Sequence, residues 1–172
     1  MILTGAGQIG MAIARCMGYG KTIILGDKNV KNAESIAQTM TNAGFDVVPM
    51  EMDLSSRASI LNLITEAQKH GEISMLVNAA GVSPSQASIE TILKVDLYGT
   101  AVLLEEVGKV IKAGGTGVTI SSQSGHRMPA LTPEVDEQLA ITPTEELLKL
   151  DVLQVENIRD TLHAYQMAKR CN

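Results

Sequence analysis

The stretch that decides the fold of this chain is Thr4-Gly5-Ala6-Gly7-Gln8-Ile9-Gly10. A short apolar run, Met1-Ile2-Leu3, precedes it, and Ile9, Ile13 and Met17 follow at the spacing of one helix face. A G-x-G-x-x-G pattern at a strand-to-helix turn is typical of dinucleotide-binding proteins. The stretch therefore predicts phosphate binding at a helix N-terminus, where free N–H groups and the positive end of the helix dipole meet.

The three glycines of this turn have different predicted tasks. Gly5 permits the tight turn, Gly7 lets a pyrophosphate approach the backbone, and Gly10 allows the helix to pack closely on the strand. Gln8 and Ile9 lie between the last two glycines, and we predict that they belong to the same cofactor site.

Composition and charge narrow the class of protein. The chain has 172 residues, of which 45% are hydrophobic and 19% charged, as expected for one globular domain. A net charge of −5 and the lack of a basic run argue against nucleic acid as a partner. No apolar stretch has membrane-spanning length, so no membrane partner is predicted. Cys16 and Cys171 have no metal-ligand spacing, so we expect no metal site, reduced thiols and a cytoplasmic location.

Apolar runs alternate with helical patterns along the chain. This alternation predicts an α/β fold, in which a parallel sheet carries helices on both faces. The predicted strands cover residues 1–4, 22–26, 46–50, 73–77 and 117–121. The predicted helices cover about 9–18, 30–43, 55–71 and a long stretch at about 88–112. Gly44 is predicted to end the second helix as a left-handed cap, and Gly114-Gly115 is predicted to close the long stretch.

Asp27 follows the second predicted strand, about 20 residues beyond the glycine turn. A carboxylate at this point accepts hydrogen bonds from the ribose hydroxyls of adenosine and repels a 2′-phosphate. The spacing therefore favours NAD over NADP. A solvated loop aspartate is the alternative, and the neighbouring Lys28 keeps NADP open because its ammonium suits a 2′-phosphate.

Tyr165 and Lys169 are spaced i, i+4, so on a helix they share one face. An ammonium close to a phenol stabilises the phenolate. The pair therefore predicts that Tyr165 passes a proton to or from a substrate oxygen while hydride moves at the nicotinamide. The spacing alone is common; the prediction depends on its order after the glycine turn and Asp27.

In this order the motifs resemble those of the short-chain dehydrogenase/reductase family. Asp53 and Leu54 match the family's Asp-Val/Leu pair after the third strand, where the aspartate meets the adenine amine. Asn78-Ala79-Ala80-Gly81 resembles its Asn-Asn-Ala-Gly loop, which steadies the sheet beside the cofactor. Ser121-Ser122 resembles the family's catalytic segment, and the resemblance assigns the catalytic serine to Ser122.

The resemblance implies one Rossmann-type domain over residues 1–172, a doubly wound sheet of order 3-2-1-4-5 that is incomplete at the carboxyl end. It implies an NAD(P)-dependent oxidoreductase that interconverts an alcohol and a ketone or aldehyde, with a possible homo-oligomer. Tyr165 would be the acid/base, Lys169 would hold the nicotinamide ribose, and Ser122 would hold the substrate oxygen. The alternative is a truncated, non-catalytic dinucleotide-binding fragment or an interaction module.

Asp96 departs from the family pattern, which usually has asparagine in a helix that joins the proton relay to the lysine. We include Asp96 as a fourth candidate catalytic residue. Its carboxylate would pair with Lys169, or the position has lost its catalytic role.

The segment between Ser122 and Tyr165 is long, and we predict a helical insertion at about 126–160. It resembles the insertion of the hydroxysteroid dehydrogenase/carbonyl reductase subgroup. Thr132-Pro133 and Thr142-Pro143 each look like a helix N-cap followed by proline, and Thr142 with Glu145 looks like a capping box. Exposed leucines in the insertion would suit a substrate pocket or an oligomer contact.

The chain ends soon after Lys169, where the family continues through further strands and a substrate loop. We therefore expect the sequence to cover roughly the first two-thirds of the family fold.

Overall fold

Five parallel strands form the central sheet of the computed structural model, which describes residues 1–172. The strands are β1 (Ile2–Thr4), β2 (Thr22–Asp27), β3 (Asp46–Glu51), β4 (Ile73–Asn78) and β5 (Ile111–Thr119). Their order is β3-β2-β1-β4-β5, and every neighbouring pair is parallel. The predicted fold class and strand order are therefore confirmed.

Helices connect the strands and build the carboxyl-terminal part of the chain. They are α1 (Gln8–Met17), α2 (Val30–Asn42), α3 (Arg57–Lys69), α4 (Ile89–Ile92), a π-helical segment (Leu93–Gly99), α5 (Thr100–Gly108), α6 (Ser124–Arg127), α7 (Pro133–Ile141), α8 (Thr144–Leu147) and α9 (Thr161–Cys171). Two 3₁₀ turns, Asp151–Leu153 and Val155–Asn157, lie between α8 and α9. None of the helices has the length and hydropathy that crossing a lipid bilayer requires.

The chain divides into two compact units. The first unit contains Met1–Ala80 and Leu103–Ile120, and the second contains Gly81–Val102 and Ser121–Asn172. All five strands belong to the first unit, and the second is helical. One domain over the whole chain stays a prediction.

In the first unit, helices cover both faces of the sheet. Leu3, Leu25 and Val77 project to one face and pack in one cluster with Ala14 of α1 and Met40 of α2. Alternate strand residues project to the other face. There a Cβ on Gly26 would lie 3.0 Å from Leu63 Cδ1 of α3. Continuous burial along the central strands β1 and β2 is the pattern expected of a parallel sheet covered on both sides.

Local capping signals explain where the first helices begin and end. The side chains of Asn29 and Ser56 accept hydrogen bonds from Asn32 N and Ser59 N, so they cap α2 and α3. Gly44 follows α2 with a φ of 89°, which confirms the predicted left-handed stop.

The predicted boundaries around β5 are wrong. The helix predicted to continue to about residue 112 ends at Gly108, and the strand begins at Ile111 instead of residue 117. Ile73 pairs with Ile111 and Met75 with Thr116, so residues 112–115 bulge out of the ladder. Gly114 has a φ of 76° in this bulge. Gly114-Gly115 was predicted to close a helix, but glycine is also common at a bulge inside a strand.

The leucines of the insertion are mostly not exposed, contrary to the prediction. Leu147 and Leu153 pack in the core of the second unit with Leu97 and Met167. On α9, Leu162 is exposed, whereas Ala164, Met167 and Ala168 are buried. The insertion therefore supplies core to the second unit.

The two predicted Thr-Pro caps have different outcomes. Thr132 Oγ1 accepts a hydrogen bond from Val135 N at 3.4 Å, which confirms the cap of α7. Thr142 instead ends α7 and donates its hydroxyl to Gln138 O at 2.6 Å. No side chain caps α8, so the predicted capping box is wrong. The Thr142 hydroxyl bonds to the preceding helix because serine and threonine also bond back to earlier carbonyls.

Candidate dinucleotide turn and candidate catalytic group

The glycine turn joins β1 to α1 in the first unit. Gly5 has a φ of 86°, and a Cβ there would come within 2.7 Å of Ala80 N. A Cβ on Gly10 would come within 2.7 Å of Gly5 O. A Cβ on Gly7, the N-cap of α1, would meet no protein atom within 4 Å. Protein packing therefore requires glycine at Gly5 and Gly10 but not at Gly7, where the open space would let a ligand approach the backbone.

The first turn of α1 has the features of a phosphate-binding helix start. No side chain caps this helix, although serine, threonine or aspartate usually does. The first N–H groups of a helix have no acceptor within it and so suit an anion. Gln8 and Ile9 are exposed in this turn. The donor set therefore fits the pyrophosphate of a dinucleotide.

Asp27 lies at the end of β2 and contacts the glycine turn directly. Its Oδ2 accepts a hydrogen bond from Ala6 N at 2.8 Å, and its Oδ1 accepts one from Asn29 N at 2.8 Å. A carboxylate offers about four lone-pair positions, so these two bonds leave capacity for ribose hydroxyls. The sequence analysis missed Asn32, whose Nδ2 donates to Ala6 O at 3.1 Å. Only the fold brings Asn32 to the turn, and no local pattern marks it.

Asp53 follows β3 and is held by three polar contacts. Its Oδ1 accepts from Ser55 N at 2.9 Å and Ser55 Oγ at 2.6 Å, and its Oδ2 lies 3.0 Å from Lys28 Nζ. Burial alone would raise the pKa of Asp53, but these hydrogen bonds and the charge of Lys28 lower it overall. Leu54 beside it is buried. The lowered pKa favours the ionised form of Asp53, which pairs with the exposed Lys28.

The loop after β4 is tied to β1. Asn78 is buried, and its Oδ1 accepts a hydrogen bond from Thr4 Oγ1 at 2.6 Å. Ala79 N donates to Thr4 O at 2.9 Å, and Ala80 N is the close neighbour of Gly5 described above. Gly81 belongs to the second unit, where a Cβ would come within 3.0 Å of Asp96 Oδ1.

The candidate catalytic group lies in the second unit and centres on a buried ion pair. Asp96, in the π-helical segment, is fully buried, and Lys169 of α9 is 7% exposed. Lys169 Nζ lies 3.8 Å from Asp96 Oδ2 and 5.6 Å from the centroid of the Tyr165 ring. The structure thus brings three of the four predicted catalytic residues together. π-Helical segments are frequent at functional sites.

Burial opposes the charge on both members of this pair. Burial raises the pKa of Asp96, and Lys169 and the hydrogen bond from Val82 N oppose that rise. Burial likewise lowers the pKa of Lys169, and Asp96 opposes that fall. Asp96 Oδ1 accepts from Val82 N at 2.8 Å, while Oδ2 accepts no hydrogen bond. The two groups are therefore held as a pair at an electrostatic cost.

The serine segment is anchored to α9 through Ser121. Ser121 Oγ donates to Lys169 O at 2.7 Å, and a Cβ on Gly125 would lie 2.8 Å from the same carbonyl oxygen. Ser122 Oγ accepts a hydrogen bond from Ser124 N at 3.1 Å. Ser121 and Gly125 therefore position the backbone that carries Lys169, and the sequence offered only their closeness to Ser122 as a signal.

A cavity of about 550 Å³ lies in the second unit beside α9. Its lining includes Ser121, His126, Asp136, Lys169 and Arg170 but not Ser122 or Tyr165. Arg170 and Asp136 form a bidentate ion pair there, with N–O distances of 3.0 and 2.8 Å. Of the four predicted catalytic residues, Lys169 lines this cavity, whereas Ser122, Tyr165 and Asp96 do not.

The family of this chain follows from comparison with known proteins. The family described as short chain dehydrogenase matches residues 1–133. This chain belongs to the short-chain dehydrogenase/reductase family. Its glycine turn, the loop after β4 and the serine segment all lie within the matched residues, whereas α9 with its Tyr-Lys pair lies beyond them.

Relatives extend the similarity over the whole chain. The short-chain dehydrogenase/reductase bsc3 of Alternaria brassicicola is 38% identical over 173 aligned residues, which cover 100% of this chain and 63% of the relative. The human carbonyl reductase [NADPH] 1 is 27% identical, with coverage of 94% of this chain and 64% of the relative. This chain therefore spans less than two-thirds of the length of these relatives.

Solved structures support the fold. The short-chain dehydrogenase/reductase from Serratia marcescens has a TM-score of 0.71 at 20% identity, and the match covers 99% of this chain and 62% of that one. A short chain dehydrogenase from Burkholderia cenocepacia, solved in complex with NADP, has a TM-score of 0.70 at 18% identity, with coverage of 99% and 62%.

Proposed function

We propose that the protein is an NAD(P)-dependent oxidoreductase that interconverts an alcohol and a ketone or aldehyde. The observation that carries the proposal is the buried ammonium of Lys169, 5.6 Å from the centroid of the Tyr165 ring. Membership of the short-chain dehydrogenase/reductase family supports it, and so do relatives named carbonyl reductase.

Each side chain has a defined role in the proposed reaction. Tyr165 passes a proton to or from the oxygen of the substrate, and the positive charge of Lys169 favours the phenolate. The hydroxyl of Ser122 donates a hydrogen bond to the same substrate oxygen. Asp96 holds the ammonium of Lys169 within the second unit. NAD(P), when bound, supplies the acceptor or donor of hydride.

We also propose that NAD is preferred over NADP. Asp27 places a carboxylate at the end of β2, where it would repel a 2′-phosphate. Lys28, the cation that would favour NADP, pairs with Asp53 at 3.0 Å, so a 2′-phosphate would have to compete with that carboxylate for it. Names of relatives that include NADPH, and the Burkholderia cenocepacia structure with NADP, make NADP the competing cofactor. A homo-oligomer and a cytoplasmic location stay predictions.

Calorimetric titration with NAD⁺ and NADP⁺ tests the cofactor. We expect saturable binding with tighter affinity for NAD⁺, and a reversed order would overturn the preference. Assays with NADH and a panel of small ketones and aldehydes test the reaction. Tyr165→Phe is expected to lower turnover by about 10²- to 10⁴-fold, because that is the usual contribution of a general acid/base. Its affinity for NAD⁺ should stay within about twofold of wild type.

A non-catalytic dinucleotide-binding module is the second candidate function. Asp96 favours it, because a carboxylate replaces the family's usual asparagine and offsets the charge of Lys169. NAD⁺ binding without turnover on any alcohol or carbonyl of the panel would support this candidate. Turnover that Tyr165→Phe abolishes would exclude it.

A further inference from the structure

Both polar backbone groups of Ala6 are held by side chains from the segment around the end of β2. Asp27 Oδ2 accepts the hydrogen bond from Ala6 N at 2.8 Å. Asn32 Nδ2 donates to Ala6 O at 3.1 Å. Ala6 itself is 4% exposed, so its peptide groups depend on protein partners. Asp27 and Asn32 therefore fix the backbone at the middle of the glycine turn, one through its N–H and the other through its carbonyl.

Asp27 and Asn32 are themselves linked through Asn29. Asp27 Oδ1 accepts a hydrogen bond from Asn29 N at 2.8 Å. Asn29 caps α2, and its Oδ1 accepts from Asn32 N at 3.3 Å. The start of α2 thus orients Asn32 and Asp27 together, and a helix start is a rigid support for a side chain.

The glycine turn needs such support. Gly5 has a φ of 86°, and glycine loses more conformational freedom on ordering than any other residue. A backbone that binds phosphate through N–H groups must be ordered before or during binding, and the ordering cost lowers affinity. Gly5 N donates to Gly26 O at 2.8 Å, so that residue is already tied to β2. Ala6 is the next residue, and its carbonyl points to Asn32.

We propose that Asn32 is a positioning residue of the dinucleotide site, which holds the glycine turn in its phosphate-binding conformation through the carbonyl of Ala6. The inference rests on the proposed function, because it takes this turn to be where a dinucleotide binds. The class of ligand affected is an adenine nucleotide with a pyrophosphate. Adenosine has no phosphate to bind at the turn, so its affinity is independent of Asn32.

The test uses Asn32→Ala and Asn32→Leu, which both remove the amide donor, while the leucine keeps the size of the side chain. We expect affinity for NAD⁺ and ADP to fall about five- to tenfold in both variants, because a hydrogen bond of this kind contributes about 1 kcal/mol. Affinity for adenosine, measured by NMR titration, should change less than about twofold.

Asn42→Ala is the matched control. Asn42 is the last residue of the same helix and is exposed, and its Oδ1 accepts a hydrogen bond from the exposed Gln38 Nε2 at 2.8 Å. This variant should bind NAD⁺ and ADP as wild type does. Loss of affinity in Asn42→Ala equal to that in Asn32→Ala would mean that helix stability, not the turn, is responsible.

A second measurement needs no ligand. Amide hydrogen exchange at Ala6 should be faster in Asn32→Ala than in wild type or Asn42→Ala, because the turn opens more often. Wild-type exchange and affinity in both Asn32 variants would overturn the inference and leave the proposed function intact. Absence of NAD⁺ and NADP⁺ binding by the wild-type chain would overturn the proposed function, and the inference with it.

Discussion

The two units hold their key carboxylates in opposite ways. In the first unit, Asp27 and Asp53 accept hydrogen bonds on both oxygens from nearby backbone or side-chain donors. In the second unit, Asp96 is fully buried and has one hydrogen bond, and its other oxygen faces Lys169 at 3.8 Å. The first arrangement keeps partial access to solvent, whereas the second removes two charges from water.

This difference separates two kinds of site. The candidate site of the first unit depends on backbone conformation and close packing at its glycines, and its carboxylates have only a supporting role. The second unit relies on a charge pair whose burial is costly unless both partners are present. Substitutions in the two units should therefore impair the protein by different mechanisms, and three experiments test this.

Breaking the buried pair should have the largest effect. Asp96→Ala is expected to lower the free energy of unfolding by about 3 kcal/mol, because it removes the buried carboxyl group that accepts a hydrogen bond from Val82 N and faces the ammonium of Lys169. Urea denaturation measures the change. The double variant Asp96→Ala, Lys169→Met removes both charges and is the control. It should be more stable than Asp96→Ala alone; equal stability would mean that a cavity, not charge, explains the loss.

Gly5 should show the next largest effect, through backbone geometry. Gly5→Ala is expected to lower the free energy of unfolding by about 2 kcal/mol, because its positive φ and the contact with Ala80 both penalise a Cβ. Gly7→Ala should change stability by only about 0.5 kcal/mol, because its Cβ meets no protein atom. Gly7→Ala should nevertheless weaken NAD⁺ binding in calorimetry. A large stability loss in Gly7→Ala would contradict the assigned tasks.

The smallest effect is a pH dependence of opposite sign in the two units. The pKa of Asp53 is lowered on folding, since its hydrogen bonds outweigh burial, so its contribution exists above the unfolded pKa and disappears as pH falls through the folded pKa. Burial raises the pKa of Asp96 despite Lys169, so its contribution exists below the unfolded pKa and disappears as pH rises through the folded pKa.

Asp53→Asn and Asp96→Asn separate these two dependences. On acidification from about pH 7 to about pH 3, the advantage of wild type over Asp53→Asn should shrink. Over the same range wild type should gain stability relative to Asp96→Asn. Urea denaturation at several pH values measures both, and slopes of the same sign would refute the contrast.

Much of the first unit was predictable because its signals are local. The glycine turn and Gly44 after α2 depend on neighbouring residues, and their predicted backbone conformations were confirmed. The order of strands in the sheet was expected from the family resemblance, not from a local signal, and was also confirmed. The start of β5 was predicted wrongly, because its bulge exists only where β4 is available to pair with both sides of it. Hydrogen bonds between strands lie outside any local pattern.

The second unit was less predictable because its elements are short and depend on contacts far along the chain. Leucines of the insertion looked exposed, yet Leu147 and Leu153 are buried against the π-helical segment and α9. Thr142 was predicted to cap the helix that follows it, but its hydroxyl donates to Gln138 O in the preceding helix α7. Asp96 lies 3.8 Å from Lys169, as one of the two alternatives expected, and its catalytic role stays a prediction.

The sequence by itself determined the order of strands and helices, the turn at Gly5 and the spacing of Tyr165 and Lys169, because residues within about one helical turn of each other set these features. Only the tertiary structure decided that Asn32 holds Ala6 and that Asp96 meets Lys169. Such contacts join residues distant in the chain, and packing of whole elements brings them within hydrogen-bonding or ion-pairing distance. Local patterns specify which elements form, and packing specifies which side chains meet.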